Sequence, residues 1–262
     1  MKKITLLKTA FLLFLCMCTS LFCKKEQAEP DTGKVPQTIT PRIIKVLPHD
    51  SNSFTQGLFL HNGKLYESTG LYNESTMRIT DTSSGTVILS HPLPPVLFGE
   101  GCALLDNRIF QITWQEQQCL VYSPENLLCI DTISYSGEGW GLTTYRSVFF
   151  MSNGTDTLYQ RNASFHLIGK LPVTLNGKPL TSLNELEFAE GKIYANVWFS
   201  DYIFEIDPAS GKVTRIIDCS SIVAEEKPSS DQAVLNGIAY DENSKTFFIT
   251  GKKWKKMFVV KF

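Results

Sequence analysis

The chain has 262 residues, 43% hydrophobic and 19% charged, and 25 Lys and Arg against 26 Asp and Glu leave a formal net charge of -1. That hydrophobic share excludes a disordered chain, and the balanced charge argues against a nucleic-acid binder, which would carry a basic excess. The four His, at 49, 61, 91 and 166, form no HExxH or paired-His spacing, so the expected chemistry uses no metal and no cofactor.

Lys2, Lys3 and Lys8 come before the run TAFLLFLCMCTSLFC, which is too short to cross a bilayer comfortably and suits the apolar core of a signal peptide. The expected organisation is a signal peptide over 1–23, a polar linker over 24–41 and one domain over 42–262. Cys23, where the apolar run stops, is arranged like the lipidated first residue of a bacterial lipoprotein. Phe22 departs from the small residue usual before such a Cys, Cys16 and Cys18 compete with it, and simple signal cleavage is the alternative. Either reading exports the chain, to the periplasm or to an outer-membrane anchor at Cys23. Of the later cysteines, Cys102, Cys119, Cys129 and Cys219 read as buried free thiols, a Cys119–Cys129 bridge being the alternative.

Beyond residue 40 the pattern is of strands. KLYEST, RIFQITW, SVFFMS, KIYANVW and TFFITG each follow a turn signal such as HNG, DN or AEG. The segments around them align with one another when Gly57, Gly101, Gly141, Glu185 and Gly237 are superposed, at steps of 44, 40, 44 and 52 residues. The long last step holds SSIVAEEKPSSDQAV, expected to be a surface insertion with a short helix. Five repeats of this length, each able to supply four antiparallel strands, predict an all-β, five-bladed propeller. RIIKVLPHD, ahead of the first repeat, is expected to supply the outer strand that the last repeat lacks.

In a propeller, repeat-equivalent positions ring the central channel. Immediately before the common point stand Gln56, Glu100, Trp140, Asn184 and Asn236, and a second register further on holds Gly70, Trp114, Asn153, Trp198 and Lys252. The two rings collect three of the four Trp, a carboxylate, an ammonium and several amides. An Asn or Gln at a strand entry can simply satisfy turn backbone, but an aromatic-walled concavity with a polar floor is what a small-molecule or peptide-end pocket needs.

The strings FTQGL, FGEG, GWGL, LNELE, ANVWFSDYI, IDPASGKV, LNGIAYD and TGKKW resemble the plant and bacterial type of glutaminyl-peptide cyclotransferase, from about residue 42 to the C-terminus. The resemblance implies a metal-independent five-bladed propeller that turns N-terminal glutamine of peptides or proteins into pyroglutamate and ammonia. No nucleic-acid partner is expected, and the chain is expected to act as a monomer. The pocket it implies has Phe54, Phe98, Trp114, Trp140 and Trp198 as walls and Gln56, Glu100, Asn184 and Lys252 as the reacting set. Glu100 is expected to be the general acid and base, while Gln56, Asn184 and Lys252 stabilise the oxyanion or grip the substrate. Glu138 stands where many members carry Asp and is placed outside the pocket. Two other readings compete: a non-catalytic propeller that binds peptides or sugars, and a glycoside hydrolase using paired carboxylates such as Glu100 and Glu185.

Overall fold

The structure, a computed structural model, describes residues 35–262; the leader expected over 1–23 lies outside the described residues. The runs rich in Val, Ile, Phe and Tyr form strands because branched and aromatic side chains suit a pleated, buried surface. The turn pairs Asn62-Gly63, Asp106-Asn107 and Glu190-Gly191 have positive φ at both positions, as two-residue hairpins of matching twist require.

Two strands precede the first repeat, β1 (Gln37–Ile39) and β2 (Arg42–Pro48). Blade 1 comprises β3 (Thr55–His61), β4 (Lys64–Thr69), β5 (Thr76–Asp81) and β6 (Val87–Pro92). Blade 2 follows with β7 (Gly99–Leu105), β8 (Arg108–Thr113), β9 (Gln118–Tyr122) and β10 (Cys129–Ser134). Blade 3 is β11 (Leu142–Tyr145), β12 (Val148–Met151), β13 (Thr157–Arg161) and β14 (Leu167–Pro172). A small hairpin, β15 (Thr174–Leu175) and β16 (Lys178–Pro179), leads to blade 4. That blade holds β17 (Leu183–Ala189), β18 (Lys192–Val197), β19 (Tyr202–Ile206) and β20 (Val213–Asp218). After the short helix α1 (Ser220–Glu226), blade 5 has only β21 (Leu235–Asp241), β22 (Thr246–Gly251) and β23 (Lys256–Lys261) of its own.

The missing outer strand is β2, antiparallel to β23, so the ring is closed by the segment expected to close it. β1 pairs in parallel with β20 and adds a fifth strand to blade 4; it lies within the stretch read from sequence as linker. All five expected strand runs form second strands of blades, and the insertion carries its helix. Cys102, Cys119 and Cys219 are buried free thiols, but Cys129 is free and exposed on the outer strand of blade 2, a correction to its expected burial.

Five apolar clusters hold the ring, one between each pair of adjacent blades. Neighbouring residues of the second strands serve different clusters: Phe149 packs toward blade 2 and Phe150 toward blade 4, and Phe247 and Phe248 divide in the same way between blades 4 and 1. Side chains alternate across a strand, so a strand buried on both faces must be apolar at successive positions. At the channel waist a Cβ on Gly57, Gly101 or Gly141 would meet neighbouring backbone at 2.5 Å, 2.4 Å or 2.0 Å respectively; only glycine allows the inner strands to approach this closely. The fifth common position is Glu185, whose Oε1 and Oε2 accept from the backbone N–H of Leu58 at 3.2 Å and of Ile238 at 2.9 Å. Its carboxylate thus spans from blade 4 to blades 1 and 5.

Candidate active site

Four inner strands change register where the floor residues stand: between Thr55 and Gly57, Gly99 and Cys102, Leu183 and Leu186, and Leu235 and Ile238. An extra residue in one strand of a pair bends it and re-aims a side chain. Here the residues concerned include Gln56, Glu100, Asn184 and Asn236, all buried. The second register is set by a repeated bond: the N–H groups of Gly70, Trp114, Trp198 and Lys252 donate to the carbonyls of Phe54, Phe98, Ser182 and Val234 at 2.8–3.0 Å. Asn153, in the same register in blade 3, turns instead to Thr155. At Gly70 a Cβ would lie 2.4 Å from the Phe98 ring, so the lack of a side chain there makes room for a pocket wall.

These residues enclose a cavity of about 220 Å³ lined by Phe54, Gln56, Phe98, Glu100, Trp114, Trp140, Asn184, Trp198 and Lys252, together with Leu71 and Gln232. All nine expected site residues are therefore brought together. Leu71 and Gln232 were not singled out from the sequence, because they sit on loops outside both registers. The walls are edge-packed rings: Phe54 on Phe98 at 6.2 Å, Phe98 on Trp114 at 5.6 Å, and Trp140 on Trp198 at 5.6 Å between centroids.

Gln56 Nε2 donates to Glu100 Oε1 at 3.0 Å. Glu100 Oε2 and Asn184 Oδ1 are buried with no partner among the described residues, leaving two acceptors on the floor. The backbone is held from behind: Ser68 donates to the Glu100 carbonyl, Gln111 to Ser68 Oγ at 2.7 Å and Tyr122 to Gln111 at 2.8 Å. In blade 3 Ser152 donates in the same manner to the Asn184 carbonyl at 2.6 Å. Lys252 Nζ sits 4.8 Å from the centre of the Phe54 ring.

Burial dominates the electrostatics. It pushes the Glu100 carboxyl well above the ordinary carboxylate range, opposed by Lys252 and assisted by the charges of Glu116 and Glu138. It also lowers Lys252 to about 8, against the pull of Glu100. Glu138 lines no part of the cavity, yet its Oε2 accepts the indole N–H of both Trp114, at 3.0 Å, and Trp140, at 3.3 Å. Glu185 is kept out of the cavity by its waist bonds, so Glu100 has no second carboxylate among the lining residues. This removes the carboxylate pair on which the glycoside hydrolase reading rested.

Comparisons with known proteins agree with this geometry. The family model described as glutamine cyclotransferase matches residues 13–262. A glutaminyl-peptide cyclotransferase of Arabidopsis thaliana is 37% identical over 224 residues, 84% of this chain and 70% of the relative. A crystal structure of Myxococcus xanthus glutaminyl cyclase superposes with a TM-score of 0.82 at 38% identity, covering 86% of this chain and 97% of that one. By its propeller, its pocket and its sequence, the chain belongs to the glutamine cyclotransferase family.

Proposed function

We propose that the chain is a glutaminyl-peptide cyclotransferase that closes N-terminal glutamine to pyroglutamate without a metal, with Glu100 as general acid and base. The observation that carries this reading is that one small aromatic cavity is lined by both Glu100, whose Oε2 has no partner among the described residues, and the buried Lys252. The lining contains no His or Cys and a single carboxylate, a poor donor set for zinc and a sufficient one for proton transfer.

Both reactants belong to one residue, so holding the glutamine side chain folded back toward its own amine supplies much of the acceleration. Phe54, Phe98, Trp114, Trp140 and Trp198 enforce that shape. The neutral α-amine attacks the side-chain carboxamide carbon, the new N–C bond forms and the carbonyl oxygen takes the negative charge. Glu100 Oε2, as carboxylate, accepts a proton from the attacking nitrogen and returns it to the departing one. The C–NH2 bond then breaks, ammonia leaves, and the lactam and an ionised Glu100 remain. Raised proton affinity makes Glu100 a stronger base than an ordinary carboxylate. The Lys252 ammonium is placed to offset the oxyanion charge, while Gln56 and Asn184 grip Glu100 and the substrate amide. The apolar leader read from the sequence supports export, with attachment to the membrane if Cys23 is lipidated; the proposed enzyme acts as a monomer on peptides or proteins with N-terminal glutamine.

The test is ammonia release from H-Gln-Ala by the chain starting after Cys23, in the presence of a chelator, with Glu100→Gln in parallel. Chelator-resistant turnover reduced about 10²-fold or more in the variant is expected. A folded wild type that binds the dipeptide without releasing ammonia would instead establish a binding propeller.

A further inference from the structure

Asn236 belongs to the inner ring but does not line the cavity, and it is 1% exposed. Its Nδ2 donates to the carbonyl of Thr55 at 2.9 Å and to Gln56 Oε1 at 3.3 Å. The orientation of its amide is decided by chemistry, because a backbone carbonyl can only accept. With the amide reversed, Asn236 Oδ1 would face both the Thr55 carbonyl and Gln56 Oε1. Once Asn236 Nδ2 faces Gln56, the Gln56 amide is fixed as well: its oxygen is toward Asn236 and its NH2 toward Glu100 Oε1 at 3.0 Å. Asn236 Oδ1 has no partner among the described residues, so no competing bond turns the amide the other way.

We infer that Asn236 is a positioning residue for the reaction: through Gln56 it dictates which oxygen of Glu100 is occupied and leaves Oε2 as the one presented to substrate. This rests on the cyclotransferase reading. Without Asn236 the Gln56 amide keeps only its bond to Glu100, so its NH2 is held less firmly and donates more weakly to the Glu100 carboxylate. Weakening a donor to the charged form raises the proton affinity of that form. The charged groups acting on Glu100 are Lys252 from blade 5 and Glu116 and Glu138 from the loops that follow β8 and β10; Asn236→Ala adds no charge to this set.

The experiment is a double-mutant cycle on the chain starting after Cys23, using Asn236→Ala and Gln56→Ala, singly and combined, with kcat and KM for H-Gln-Ala measured across pH. Asn236→Ala should lower kcat about 10-fold, the scale of a small displacement of a reacting group. It should leave KM within about threefold and move the acid limb of kcat/KM to higher pH. In the Gln56→Ala background the same change should cost less than about twofold, since the relay is already absent. Equal costs in both backgrounds, or an unmoved acid limb, would overturn the inference. If Asn236→Ala does not fold, Asn236→Ser takes its place: its single hydroxyl proton serves only one of the two acceptors. Inactive wild type refutes the cyclotransferase reading itself, whereas active wild type with additive losses refutes only the relay.

Discussion

Glu138 Oε2 accepts the indole N–H of Trp114 at 3.0 Å although Glu138 itself does not touch the cavity. The same oxygen takes the indole of Trp140 at 3.3 Å, and Oε1 takes Gln115 Nε2 at 3.1 Å. One carboxylate therefore spaces two pocket walls that come from different blades, and its charge also raises the proton affinity of Glu100.

The two roles of Glu138 separate by substitution. Glu138→Ala removes the clamp and should raise KM and lower kcat, each by up to about 10-fold. Glu138→Gln keeps an acceptor oxygen but loses the charge, so KM should stay near wild type. The acid limb of kcat/KM should move to lower pH, because a like charge near Glu100 is gone. Matched pH profiles of the two variants provide the check, and an unmoved limb in Glu138→Gln would exclude the electrostatic role.

Lys252 gives the opposite limb. In the proposed reaction its ammonium, lowered by burial to about 8 with Glu100 opposing, offsets the oxyanion charge only while protonated, so kcat should decline as pH rises through about 8. Arginine stays charged across this range. Lys252→Arg, slower by about 10-fold through altered geometry, should lose that decline, and a pH profile to about 10 would show it. Persistence of the alkaline limb in the arginine variant would assign the limb to another group.

A third expectation concerns stability where the ring closes. His49 follows β2, its Nε2 lies 3.0 Å from Glu67 Oε1 and its Nδ1 2.8 Å from the Trp254 carbonyl, all in the interior. Both ring nitrogens face acceptors, so the imidazole is held as the cation. Burial works against that charge, but Glu67, the Trp254 carbonyl and Asp50 bring His49 above its ordinary 6.5. Burial likewise opposes the Glu67 carboxylate, which His49, Arg78 and Thr55 nevertheless hold below its ordinary 4.5. The His49 contribution is complete below pH 6.5 and lost as pH rises through its higher folded value. The Glu67 contribution is complete above 4.5 and lost as pH falls through its lower one. Linkage therefore makes the pair fully stabilising between about pH 4.5 and 6.5. His49→Gln should cost about 3 kcal/mol near pH 6, the scale for stranding a buried partner. The gap from wild type should narrow by pH 9, as followed by denaturant unfolding at the two pH values; an equal gap at both would exclude the charged pair.

What could be read without coordinates was whatever the repeat imposes. Turn pairs, doubly apolar second strands and waist glycines recur because every blade must make the same hairpins and bury the same two faces. The aligned positions therefore located Gln56, Glu100, Trp140 and Asn184 on the inner ring, and Trp114, Trp198 and Lys252 on the second. Phe54 and Phe98 came from the family resemblance, and all nine line the cavity.

Departures from the repeat were invisible to that reading. Gln232 reaches the cavity from the long insertion, Glu138 bridges two indoles from a loop, and Glu185 leaves the site to close the waist. β1 adds its strand far along the chain from its partner β20. The sequence by itself determined the five-bladed ring and which side chains its repeats send to the cavity, because periodic backbone bonding acts within each repeat. Tertiary structure alone decided which oxygen of Glu100 Gln56 leaves unbonded, how burial shifts Glu100 and Lys252, and which side chains from other blades hold the walls. Those properties depend on distances between non-equivalent positions, which no periodic pattern encodes.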